Sequence, residues 1–127
     1  MSNKPNATID WHARASALKI DGRALINGRR VDAAEAFAKH SPIDSRLLGP
    51  VARGQAADID AAVRAARAAF EDGRWAAQAP AKRKRVLQKF AEKILAAQEE
   101  LALLETLDMG KPIQYSMAVD VPATARC

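Results

Sequence analysis

Cysteine is nearly absent from this chain. The single thiol, Cys127, cannot form an internal disulfide, which excludes a cross-linked scaffold and fits a reducing compartment. Aromatic residues are only 5% of the sequence, too few for the stacking platform that single-stranded nucleic acid requires. No apolar run approaches the length of a membrane span. Met1 to Arg14 carries Asp10 and His12 where a signal peptide would be apolar, so neither a leader nor a membrane anchor is expected and the cytoplasm is the default location. There is no glycine-rich phosphate loop, no Cys/His metal cluster and no Ser-His-Asp arrangement. His12 and His40 stand isolated and read as surface residues. No internal repeat or heptad array is present.

What is present is a soluble chain of one domain at most: 127 residues, 49% hydrophobic and 28% charged. Much of the apolar content is alanine, which favours helix over sheet. The net charge of +5 invites a nucleic-acid reading, but charges of both signs are mixed along most of the chain. Composition and periodicity alone describe an α+β piece without a function.

Along the chain, Ala13 to Leu18 reads as a short helix. Leu25-Ile26-Asn27-Gly28-Arg29-Arg30-Val31 places an Asn-Gly turn between short apolar runs, the signature of a tight hairpin. Phe37 to Ile43 and Leu48 to Arg53 read as two further strands, kept at an edge by Pro42 and Pro50. Ile59, Ala62, Val63, Ala66 and Phe70 then recur at helical spacing, with Asp58 and Asp60 in the first turn and Gly73 as terminator; Trp75 follows in a loop. Pro80 opens a second helix with Val86, Leu87, Phe90, Ile94 and Leu95 on one face and Lys82, Arg85, Lys89 and Lys93 on the other. That basic stripe is the best argument for a small helical nucleic-acid-binding protein, although Glu92, Glu99 and Glu100 interrupt it and a solvated face explains it better. Gln55 and Ala79 stand at cap positions that Ser, Thr or Asp would fill better.

Helical propensity continues to Gly110, as one rod or as two helices with a bend. It ends in Leu101-Ala102-Leu103-Leu104-Glu105-Thr106-Leu107-Asp108-Met109-Gly110-Lys111-Pro112. Leu101, Leu104 and Leu107 share a face, Gly110 offers a left-handed exit and Pro112 forbids continuation. A last helix over Val119 to Cys127 enters through Asp120 and Pro122, and the sequence stops there without a cap or polar tail, as a cut or truncated product would.

The string Glu105-Thr106-Leu107-Asp108-x-Gly-Lys-Pro112 resembles the helix end found in the N-terminal part of the aldehyde dehydrogenase superfamily. Four other pieces agree in order and spacing: the Leu25–Gly28 hairpin with Val31-Asp32-Ala33-Ala34, Val51-Ala52-Arg53-Gly54 before Asp58–Phe70, Trp75, and Pro80-Ala81-Lys82-Arg83. The resemblance covers residues about 24 to 127, leaving 1–23 as an N-terminal extension with a short helix. Asp72-Gly73-Arg74-Trp75, Pro80–Lys84 and the leading segment around Trp11 look most like the γ-glutamyl-γ-aminobutyraldehyde dehydrogenase branch. Met109 departs from the small polar residue more usual before the glycine.

The resemblance implies an α/β fold, of which this chain would be the N-terminal portion of the cofactor-binding domain, with leading strands and long helices. It implies oxidation of an aldehyde to an acid with NAD or NADP, by cysteine attack, hydride transfer and glutamate-activated hydrolysis. It places no catalytic and no cofactor-binding residue in this chain. The nucleophile, the base and the dinucleotide glycines would lie beyond residue 127, Cys127 would be a small apolar filler, and the chain alone would be inactive. The complete protein would be a homodimer or homotetramer acting on an aldehyde, an aminoaldehyde among the options, with no role for nucleic acid or membrane. Val119, Asp120 and Ala123 would line the mouth of the substrate tunnel, Asp120 drawing a cationic substrate or serving only as a helix N-terminal carboxylate. Asp108 would hold K⁺ or Na⁺ together with the backbone carbonyls of Lys39 and His40, or would merely cap or pair locally.

Overall fold

In the computed structural model, which describes residues 9–127, Asp10 caps α1 (Trp11–Ala17) by accepting the Ala13 N–H at 3.0 Å. The helix begins two residues earlier than the apolar pattern suggests because this cap, and not the pattern, sets its start. The Asn-Gly turn folds as expected. β1 (Ala24–Ile26) and β2 (Arg29–Val31) pair antiparallel, with Asn27 at φ 50° and Gly28 at φ 75°, the doubly left-handed turn that suits strand twist.

The second hairpin joins β3 (Glu35–His40) to β4 (Leu47–Arg53). β3 ends before Ser41, short of the expected Ile43, because the chain turns there. Ser41 N–H donates to the Arg46 carbonyl and its own carbonyl accepts from Ser45 N–H, each at 2.9 Å. The register shifts between Lys39 and His40. Gly22 joins the two hairpins: its carbonyl accepts the Ala52 N–H at 2.9 Å, and a Cβ there would collide with the Pro50 carbonyl and lie 2.9 Å from Val51 Cα. Only glycine permits that approach.

α2 (Ala56–Glu71) is alanine-rich and starts better than its cap residue promises. The Asp58 carboxylate reaches back to accept the Gln55 N–H at 2.9 Å, half of a capping box. The chain leaves the helix through Gly73 at φ 70°. Pro80 occupies the first turn of α3 (Pro80–Ala96), and α4 (Gln98–Met109) follows after a bend at Ala97, whose N–H is shared between the carbonyls of Lys93 and Ile94. Two helices, not one rod, fill this stretch. Gly110, at φ 81°, donates its N–H to the Thr106 carbonyl at 2.9 Å and lies against Pro42, so the end of α4 abuts the turn after β3.

Helix resumes at once, six residues earlier than expected: α5 (Ile113–Tyr115), a π turn over Ser116–Asp120, then α6 (Val121–Arg126). Among the described residues the buried apolar side chains are Ala102, Leu103, Leu107 and Val121, where α4 meets the π turn and α6, each leucine worth about 1.5–3 kcal/mol. Leu107 belongs to the expected face, but its partner is Leu103, one helical turn back. Leu101 is instead 37% exposed and Leu104 half-buried, because α4 offers those residues to side clefts. No described helix is long and apolar enough to cross a membrane.

Candidate functional site

Of the residues singled out from the sequence, Asp108 stands at one end of a short stretch and Val119, Asp120 and Ala123 at the other, while Lys39 and His40 lie on β3. Val119 is 52% exposed and Ala123 half-buried, one helical turn apart on a common side. Asp120 behaves differently. Its carboxylate forms a direct ion pair with Lys111 Nζ, which lies also 3.6 Å from Glu105 Oε1. The Asp120 hydrogen bond, first among the causes, raises the Lys111 pKa above its ordinary value. Because the folded-state pKa is raised, whatever the pair contributes is present below the unfolded-state value and fades as pH rises through the folded one. Asp120 borders a groove of about 490 Å³ with Phe90, Lys93, Ile94, Leu101, Glu105, Val121 and Thr124, and neither Val119 nor Ala123 borders it. The carboxylate expected to wait for a cationic substrate therefore already holds a cation of the chain itself.

The π turn that carries these residues depends on Pro122 and on the side chain of Gln98. Pro122 has no N–H, and the Val121 N–H reaches back five residues to the Ser116 carbonyl. The Met117 carbonyl, which Val121 would take in an ordinary helix, accepts instead the amide of Gln98 at 2.6 Å. A proline inside a helical stretch was the available signal for the turn. Nothing in the sequence singles out Gln98, which lies 19 residues away. Replacing Gln98 with leucine leaves a half-buried carbonyl without its donor, and a loss of about 1–3 kcal/mol is expected as a lower thermal midpoint of the complete protein.

At the other end, Asp108 pairs with Lys39 through the side chain: Lys39 Nζ lies 3.0 Å from Asp108 Oδ1. The corner expected to bind K⁺ or Na⁺ through the carbonyls of Lys39 and His40 thus also carries the Lys39 ammonium. A second unit charge about 4 Å from the ammonium would be opposed by roughly 1 kcal/mol in water and about 4 kcal/mol at an effective dielectric of 20. Among the described residues no group of three or more His, Cys, Asp or Glu side chains converges on a metal position. Cys127, the last residue of the sequence, is exposed. The basic stripe Lys82, Arg85, Lys89 and Lys93 is an exposed face of α3.

Residues 30–127 match the aldehyde dehydrogenase family. The chain belongs to that family. It is 48% identical over 118 residues to the NADP/NAD-dependent aldehyde dehydrogenase PuuC of Escherichia coli, an alignment spanning 91% of this chain and 24% of PuuC. The γ-glutamyl-γ-aminobutyraldehyde dehydrogenase from Burkholderia cenocepacia superimposes with a TM-score of 0.91 at 48% identity, over 93% of this chain and 24% of that one. The P. syringae indole-3-acetaldehyde dehydrogenase AldA, solved with NAD⁺ and IAA, gives 0.90 at 54% identity over 92% and 24%. The aldehyde dehydrogenase chain described here therefore spans about a quarter of the length of the relatives it matches. Its leading hairpins and long helices match theirs, and the γ-glutamyl-γ-aminobutyraldehyde branch is among its near relatives, with the higher TM-score of the two structures where the indole-3-acetaldehyde enzyme has the higher identity.

Proposed function

We propose that this chain forms the N-terminal quarter of an NAD- or NADP-dependent aldehyde dehydrogenase that oxidises an aldehyde to its carboxylic acid. One observation carries this: the fold follows solved family members over more than nine-tenths of the chain. Family membership favours this reading over a basic nucleic-acid binder. No residue of this chain takes part in covalent chemistry or holds the dinucleotide. When bound, the nicotinamide supplies the hydride acceptor, and this chain's contribution is architectural. The relatives' names include aminoaldehyde and aryl-acetaldehyde enzymes, so the substrate class is an aldehyde with aminoaldehydes among the candidates. A homodimer or homotetramer is the proposed assembly, and the uncovered faces of α2 and α3 are the surfaces the rest of the protein would cover.

Within that enzyme Val119 and Ala123 form a neutral part of the substrate wall, and Asp120 fixes the wall through Lys111 instead of binding substrate. The test is kinetic, in the complete enzyme, with an ω-aminoaldehyde and a neutral aldehyde of equal length. Asp120→Asn is expected to lower kcat/KM by the same several-fold factor for both, since the charge it removes is committed to Lys111. A loss confined to the cationic substrate would instead make Asp120 its anchor.

A further inference from the structure

Asp108 occupies a position that disfavours an acid. It lies in the last turn of α4, where unpaired carbonyls concentrate partial negative charge, and that turn contains no basic residue. Among the described residues, the cation paired with it comes from another element. Lys39 reaches over from β3 to place Nζ 3.0 Å from Asp108 Oδ1, at the point where the β3–β4 register shifts. The pair borders a cleft of about 320 Å³ whose other walls include Ile20, Leu48, Val51 and Leu104. Glu105, the second acid at that cleft, faces Lys111 at 3.6 Å, so Lys39 is what stands against Asp108.

We infer that the Lys39 ammonium is a tethered counter-cation for this corner, doing by covalent attachment what a free monovalent cation would otherwise do. An ammonium group and a potassium ion are close in size and seek the same oxygen donors. With the lysine in place a free ion meets a like charge; without it, the carboxylate, the helix terminus and the irregular backbone at Lys39 and His40 leave a negative corner for K⁺ or Na⁺ to fill. An exposed pair is worth little stability in itself. The readout is therefore cation dependence and not stability alone.

The experiment is a set of thermal melts of the complete enzyme in potassium, sodium and choline chloride at equal ionic strength. The unaltered protein is expected to give the same midpoint in all three. Lys39→Met should acquire a dependence, melting about 2 °C or more higher in potassium or sodium than in choline. Lys39→Arg should behave as the unaltered protein, and the double variant Lys39→Met with Asp108→Asn should lose the acquired dependence. If Lys39→Met folds only when K⁺ or Na⁺ is present, the inference is supported; if it folds in none of the salts, it is overturned. It is equally overturned if the unaltered protein already melts higher in potassium or sodium, or if Lys39→Met is indifferent to the cation.

Discussion

Residues 1–127 expressed alone are expected to self-associate and to give no sharp, reversible melt as a monomer at micromolar concentration. The reason lies in the unpaired faces of the two long helices before the bend. α2 and α3 bury no residue, leaving Phe70 71% exposed, Phe90 62%, and Ile59, Val63, Val86 and Leu87 comparably open. Contiguous apolar surface of that kind on a soluble chain drives association. Nor can the buried cluster around Leu103 and Leu107 hold the rest. A handful of buried side chains at about 1.5–3 kcal/mol each does not offset backbone ordering at about 1–2 kcal/mol per residue. Sedimentation combined with calorimetry would check this. A monomer that melts sharply and refolds would show that the present core suffices.

Elements governed by local chemistry were legible in the sequence. The Asn27-Gly28 turn demands left-handed backbone, Pro80 suits a first helical turn, and Gly110 before Lys111-Pro112 permits only a helix end; each stands where expected. Elements set by distant partners were not legible. The end of β3 depends on a hydrogen bond between Ser41 and Arg46, and the buried side of α4 on what packs against it, so Leu103 replaced Leu101 in the core. The helical restart at Ile113 was hidden by Pro112, which reads as a stop and acts also as the residue preceding the next helix, its carbonyl accepting the Tyr115 N–H at 3.0 Å.

The candidate site divides in the same way. The resemblance assigned Val119, Asp120 and Ala123 to a tunnel mouth and Asp108, with Lys39 and His40, to a separate cation corner. It could not show that both acids are already paired, because Lys111 and Lys39 reach them from a turn and a strand. Charge partners chosen by folding carry no spacing signature. The same holds for Gln98, whose contact to the Met117 carbonyl exists only once α4 packs against the π turn.

The largest functional effect expected is the contrast between this chain alone and this chain in place of its counterpart. The proposed chemistry needs a nucleophilic thiolate and a dinucleotide cradle, neither of which the sequence before residue 127 offers. Purified residues 1–127 with NAD⁺ and propanal should therefore give no nicotinamide reduction above a no-protein control. What the chain does offer is a scaffold 48% identical to the matching quarter of PuuC, with Gly22, Gly110 and the π turn providing the close contacts on which neighbouring segments would rest. The direct measurement is a chimera in which this chain replaces the corresponding segment of PuuC, assayed for aldehyde-dependent reduction of NAD⁺. The chimera is expected to assemble as its parent does and to retain kcat/KM within about tenfold, or ~1.4 kcal/mol of barrier. A chimera that folds and assembles like PuuC yet oxidises no aldehyde would contradict the assignment of this chain as a working part of such an enzyme.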